Sequence, residues 1–388
     1  MKHIAFFCIP AWGHTNPTVE VVRELTRRGC AVRYYTFAPF REKLEEAGAE
    51  VVLCDDFLPP APEDLNDRMG KDFALLIEMV TDTTLALDEK VMGEMAEFRP
   101  DVIVSDSVCI WGKLFAKKLG VHYVCSTTTF AFNQHTAKLM QPKGGELLRS
   151  VLGIPRISRC VKRLRKHGYQ VEKFLDLIQN DNDTDTIVYT SPGFQPMAET
   201  FSDRYAFVGP SLPEQEAGEE CPKPRPLIYI SLGTVMFDRP AFFRACAEAL
   251  GTMDADVILS TGRTEQSFAL PPNFTAYERV DQLDVLRRAD VFVTHCGMNS
   301  ASEAIWFGVP AVLCPQQSEE AAVANRMAEL GLGIPLESEA PKAIREAVEA
   351  VLQDPVYQEN TRRLAREFRL CGGAKAAADK IAQCARQA

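Results

Sequence analysis

Twice along this chain, short apolar runs alternate with segments of helical period, and few folds accommodate such a pattern. In the first half the strand-like runs fall at 3–9, 31–37, 50–54, 101–105 and 121–125. In the second they fall at 227–231, 256–260, 273–277, 291–294 and 311–314. A helix is expected at 17–28, with Asn16 as its cap, Pro17 in its first turn and Gly29 as its stop. Strands joined through helices lie parallel, so the predicted class is α/β with two doubly wound parallel sheets. At 388 residues the chain also exceeds what one core usually supports. The Pro- and Glu-rich stretch 210–226 reads as a linker between a first domain at 1–209 and a second at 227–373. A final helix within 374–388 has few partners in its own half.

Composition narrows the partners. The formal net charge of −10 argues against nucleic acid or an anionic bilayer as the main partner. The sequence shows neither a signal-peptide core with a cleavage site nor an apolar stretch of membrane-spanning length. None of the 12 cysteines forms a Cys-x-x-Cys pair, and Cys8, Cys54, Cys125 and Cys314 lie in or beside apolar runs. They read as small buried hydrophobes of a reducing compartment, so a cytoplasmic location is expected. Segment 149–173 concentrates Arg and Lys, while Ile157, Val161 and Leu164 recur at helical spacing. A solvated amphipathic helix is the expected account, with contact to a membrane surface as the alternative.

Residues 292–320 carry the chemistry. An apolar run ends in His295-Cys296-Gly297, turns, and enters a helix at Met298-Asn299-Ser300. Strand, glycine turn and helix N-terminus form an anion site, because backbone N–H groups and the positive dipole end face a bound phosphate. Acidic side chains just beyond it suit sugar hydroxyls, and the combination predicts a nucleotide-sugar donor. The stretch resembles the donor signature of inverting nucleotide-sugar glycosyltransferases with the GT-B fold, two Rossmann-like domains facing a cleft. It is most similar to the bacterial macrolide and natural-product branch. The resemblance implies that His295, Gly297, Asn299 and Ser300 hold the diphosphate and Glu303 the ribose hydroxyls. It implies a UDP-sugar or TDP-sugar as donor substrate with no separate cofactor, and a last helix that crosses back onto the first domain. Ser300-Ala301-Ser302-Glu303 equally satisfies a capping box, in which the acid only closes a helix end.

Doubly wound sheets bind ligands beyond the carboxyl ends of their strands, where strand order reverses. With order 3-2-1-4-5 that point lies between the first and fourth strands of each half. His14 is thereby placed beside Asp106, and Ser231-Leu232-Gly233-Thr234 beside His295. Transfer to a hydroxyl needs a base near neutral pH, which suits His14, and Asp106 can fix its tautomer. Gly13-His14-Thr15-Asn16-Pro17 matches the family's Gly-His-x-x-Pro loop, which implies His14 as base and Asp106 as its acid partner. The plainer readings are a helix contact for His14, a helix cap for Asp106 and a simple turn for Ser231 and Thr234. Trp12 and Trp111, at strand ends, are candidates for an apolar acceptor pocket.

Two departures from the family pattern bear on the donor. Arg279-Val280-Asp281-Gln282 stands where relatives carry Trp-x-Pro-Gln against the nucleobase, so Gln282 remains while Arg279 replaces the aromatic platform. Glu319-Glu320 stands where an acid and a Gln contact the transferred sugar; an acid favouring a helix N-terminus is the alternative for Glu320. No Asp-x-Asp pair serves the diphosphate, and His14 is a single base with no evident nucleophile on the opposite face, so a metal-independent inverting mechanism is expected. The expected activity moves a hexose, glucose from UDP-glucose foremost, onto a hydroxyl of a hydrophobic small molecule such as a macrolide or phenol. A lipid or sterol acceptor, a nucleotide-sugar epimerase and a non-catalytic nucleotide-sugar-binding protein are the competing readings.

Overall fold

The computed structural model describes residues 1–58, 72–136, 144–172, 177, 180, 182–213, 223–233, 239–262 and 268–386. The chain divides into two compact units, Met1–Leu212 together with Cys371–Ala388, and Pro213–Leu370. Most of the expected linker, residues 214–222, lies outside the described residues, as does Thr234.

The first unit is built on seven parallel strands: β1 (His3–Phe7), β2 (Ala31–Thr36), β3 (Glu50–Leu53), β4 (Val102–Asp106), β5 (His122–Thr127), β6 (Asp185–Val188) and β7 (Tyr205–Phe207). Their order is β3-β2-β1-β4-β5-β6-β7, so β1 and β4 are neighbours and the order reverses between them. Both central strands are covered on both faces, which is why they read as unbroken apolar runs; Ile4 to Phe7 and Val102 to Val104 are buried.

The helix after β1 differs from expectation. It spans Trp12–Arg27 and is preceded by Ala11, so Pro17 lies inside it and Asn16 does not cap it. The first turn closes earlier because the Ala11 carbonyl accepts N–H bonds from His14 at 3.1 Å and Thr15 at 3.0 Å. His14 therefore projects from a helical turn rather than from a loop. Gly29 does stop the helix, in the left-handed region at φ +81°.

The basic segment forms the helix Gly144–Lys166. Ile157, Cys160, Val161 and Leu164 are buried in the unit's core. Arg156 pairs with Asp72 at 3.0 Å and with Glu78, and Arg163 pairs with Asp82 at 2.7 Å. The apolar face and these cations are thus engaged within the unit. The helix Gly373–Cys384 also belongs to this unit, burying Ala377, Ala378 and Ile381 in the same core. Lys380 reaches the buried Asp185 at 2.6 Å, and Asp185 also meets His122 at 2.8 Å and Arg204 at 3.0 Å.

The second unit repeats the architecture with β8 (Leu227–Ser231), β9 (Asp256–Ser260), β10 (Phe274–Tyr277), β11 (Val291–Thr294), β12 (Ala311–Leu313) and β13 (Gly333–Pro335). The order β10-β9-β8-β11-β12-β13 again puts the reversal between its first and fourth strands. Among the described residues, no helix is long and apolar enough to cross a membrane.

Candidate active site

In the first unit the reversal point carries a histidine and a carboxylate. Asp106 is the last residue of β4, and β1 runs beside it with Phe7 opposite Ser105. Nδ1 of His14 lies 2.7 Å from Oδ2 of Asp106. The Asp106 side chain is only 1% exposed, the His14 ring 18%. Oδ1 of Asp106 accepts the backbone N–H groups of Val108 at 2.9 Å and Cys109 at 3.3 Å. The cap position of the helix Ile110–Leu119 belongs to Cys109, so Asp106 does not cap it; one oxygen closes the turn before that helix, the other holds the imidazole. A carboxylate on Nδ1 keeps the proton there and makes Nε2 the basic nitrogen. The sequence reading missed Thr128, whose hydroxyl stands 3.1 Å from the same Nδ1. Extending the strand-end argument from β4 to β5 finds it, since Asp106 pairs with Ser126 and Thr128 follows β5.

In the second unit Ser231 and Thr294 end their strands opposite each other, and His295 follows Thr294 directly. A Cβ on Gly233 or on Gly297 would lie 2.5 Å from Nε2 of His295. Glycine at both positions is what admits the ring. Burial pushes the His295 pKa down to about 4, and its buried Nδ1 has no partner among the described residues. The ring is neutral at physiological pH. It can offer hydrogen bonding to an anion but no charge.

Cys296, next in line, adopts a left-handed conformation at φ +65°, with its N–H on the Thr294 hydroxyl at 3.1 Å. A buried non-glycine residue held there costs on the order of 1–2 kcal/mol, a cost typical of turns that aim backbone groups at a ligand. The helix Met298–Phe307 follows directly, and no side chain caps it. Its first-turn N–H groups, on residues that include Asn299 and Ser300, form the positive end of the dipole.

Ser300 and Glu303 are not a capping box, because the cap position belongs to Gly297. Instead Gln282 joins them: its Nε2 donates to Glu303 Oε2 at 2.5 Å and to Ser300 Oγ at 3.2 Å. Gln282 is in turn fixed by the Tyr229 hydroxyl, which donates to Oε1 at 3.1 Å. Tyr229 is buried and stacked on Phe292 with ring centroids 4.8 Å apart. It is a second residue the sequence reading missed. Asp281 caps the helix Gln282–Arg288 by accepting from Leu283 and Asp284, which explains an acid where relatives carry proline. Arg279 is exposed.

The capping box of this unit sits elsewhere. Glu320 turns back so that Oε2 accepts the N–H groups of Gln316 at 2.7 Å and Gln317 at 3.1 Å, closing the helix Ser318–Glu329. Glu319 precedes it, exposed, in the same first turn. Among the described residues, the one His/Cys/Asp/Glu group compact enough for a metal is His122, Asp185 and Cys384. Its carboxylate is already engaged by Lys380 and Arg204, as an ion-pair cluster rather than a cation site.

Residues 244–373 match the profile of the erythromycin biosynthesis protein CIII-like C-terminal domain. The NDP-glycosyltransferase YjiC of Bacillus subtilis is 34% identical over 387 residues, covering 98% of this chain and 96% of that protein. The chain belongs to the nucleotide-sugar glycosyltransferase family. The enzyme is also 33% identical to the demethyllactenocin mycarosyltransferase of Streptomyces fradiae, over 98% of this chain and 86% of that one. The solved glycotransferase of kitacinnamycin superimposes with a TM-score of 0.85 at 27% identity, over 98% of each chain. Two parallel sheets with flanking helices thus form a GT-B fold, and the glycosyltransferase assignment sets aside the epimerase and binding-protein readings.

Proposed function

We propose that this glycosyltransferase moves a hexose, with glucose from UDP-glucose as the first donor to test, onto a hydroxyl of a hydrophobic natural product. His14 acts as the base and Asp106 as its partner. The observation that carries this reading is the 2.7 Å contact between Nδ1 of His14 and the buried Asp106 carboxylate. Nε2 takes the acceptor proton, the acceptor oxygen attacks the anomeric carbon, and the bond from that carbon to the β-phosphate breaks. The electron pair leaves with the nucleoside diphosphate, and attack opposite the leaving group inverts the anomeric centre. Asp106 stabilises the imidazolium until the proton returns to water.

On the donor side, the N-terminus of Met298–Phe307 and the neutral His295 receive the diphosphate without a metal ion. Glu303, Ser300 and Gln282 take the ribose, Arg279 offers a planar face to the base, and Glu319 and Glu320 border the sugar. Ser231 lies beside the diphosphate, and Thr234 is proposed with it on sequence grounds. A macrolide or similar natural-product acceptor is supported by the names of the relatives, a demethyllactenocin mycarosyltransferase and a glycotransferase of kitacinnamycin. The lipid-acceptor reading rested on the basic helix, and its burial and ion pairing weaken that support. Incubation with a panel of UDP- and TDP-sugars and macrolide, phenolic and sterol acceptors, with products read by mass, tests the proposal. A product formed only on lipid acceptors, or none with any hexose donor, would overturn it.

A further inference from the structure

The catalytic histidine has a second fixed neighbour. Thr128 Oγ1 stands 3.1 Å from Nδ1 of His14, on the nitrogen that Asp106 Oδ2 meets at 2.7 Å. Thr128 is buried, at 3% exposure. We infer that Thr128 is a positioning residue for His14, holding the ring as the second acceptor for the Nδ1 proton. The inference rests on the reading of His14 as base.

The chemistry runs as follows. One Nδ1–H lies between two oxygens, and Asp106 accepts only, so the proton stays on Nδ1 and the hydroxyl receives its second, longer share. A single acceptor on Nδ1 fixes the distance to Asp106 but leaves the tilt of the imidazole less constrained. With two, from the ends of neighbouring strands β4 and β5, its plane is fixed and Nε2 points in one direction. The same oxygen also stabilises the imidazolium formed after proton abstraction, because a hydrogen bond to the charged form favours it. Among the described residues, the other titratable groups that sense Asp106 are Cys8, Cys109, Cys125, Tyr123 and Tyr189. Burial raises all five, so they remain protonated and uncharged. Asp106 is the charge that faces the ring, and Thr128 is the neutral oxygen that shares its proton.

The test compares Thr128→Val, which keeps shape and removes the hydroxyl, with Thr128→Ser, which keeps the hydroxyl. Thr128→Val is expected to lower kcat about three- to tenfold at unchanged donor KM, as one hydrogen bond is worth roughly 0.5–1.5 kcal/mol. The acid limb of the kcat/KM profile should move to lower pH, since the imidazolium has lost an acceptor. Thr128→Ser should restore both rate and limb. Thr128→Ala reads the same limb if the valine variant melts early. An unmoved limb and equal losses in the valine and serine variants would reduce Thr128 to packing and overturn the inference. A fully active His14→Ala would instead remove the base reading beneath it, and the two failures are separable.

Discussion

Asp106 serves His14 and its own backbone turn with different oxygens, Oδ2 lying 2.7 Å from Nδ1 while Oδ1 takes the Val108 N–H at 2.9 Å. An asparagine there has one acceptor atom for two donors, so it must fail either the turn or the imidazole. His14→Ala is expected to lose about 10²–10⁴ in rate on alcohol acceptors while keeping donor affinity. Asp106→Asn should lose less. Phenols and thiols of low pKa should retain more activity in the His14 variant than aliphatic alcohols do. Steady-state rates across an acidity series of acceptors check this; equal losses throughout would leave His14 as a positioning residue.

His295 is held neutral, with a pKa near 4 against the ordinary value of 6.5. Below 6.5 the unfolded chain takes up a proton that the folded ring refuses, so stability is lost as pH falls from about 6.5 towards 4, and nothing is lost above that range. The penalty reaches on the order of 3 kcal/mol at the lower end. Chemical unfolding at pH 7 and 4.5 should show a shallower loss in His295→Gln than in the wild type. The same variant series tests binding: calorimetry should find UDP affinity weakened in His295→Ala, and nearly constant in the wild type between pH 7.5 and 5.5.

Tyr229 reaches the proposed ribose site through Gln282, to which it donates at 3.1 Å. Removing the hydroxyl in Tyr229→Phe leaves Gln282 Oε1 without this donor and loosens the amide that donates to Glu303 and Ser300. UDP should bind about fivefold more weakly, the equivalent of roughly 1 kcal/mol for one hydrogen bond. Discrimination against 2′-deoxy-UDP should shrink in parallel. A weaker affinity with discrimination intact would place the effect in the core packing on Phe292.

Glu320 closes its helix, so its proposed role toward the sugar draws on a carboxylate that the fold already uses. Glu320→Ala should lower stability by about 0.5–2 kcal/mol, the usual cost of a lost cap. Glu320→Gln keeps an oxygen for the cap and adds a donor, so it should melt near the wild type. It is expected to raise turnover with UDP-glucose relative to other donors. An unchanged donor ranking would confine Glu320 to the helix end.

Much of this was legible because the signal was strong where burial was complete. Runs 227–231 and 291–294 coincide with β8 and β11, buried along their whole length, and run 256–260 with β9, where Val257 and Leu259 are buried between more open neighbours. β7 and β13 span Tyr205–Phe207 and Gly333–Pro335, edge strands too short for any period, and β6 opens on Asp185, whose charge is balanced from elsewhere in the chain. His14 beside Asp106 followed from strand order alone. Thr128 and Tyr229 did not, because a hydroxyl has no spacing signature and acts here through contacts between distant segments. The neutrality of His295 was equally hidden: only the packed glycines on either side disclose how little water reaches it.

The helix Gly373–Cys384 carries a consequence for biosynthesis. It lies within the first unit, with Gly373 N–H on the Val208 carbonyl at 2.7 Å, Arg28 on Asp379 at 2.5 Å and Lys380 on Asp185 at 2.6 Å. A ribosome delivers these residues only after all of Pro213–Leu370 has emerged. The first unit to be translated is thus the last to be completed, and its Ala377–Ile381 face stays open while the second unit folds. Asp185 spends that interval without Lys380. Residues 1–212 made alone would lack the Ala377, Ala378 and Ile381 side chains that complete their core.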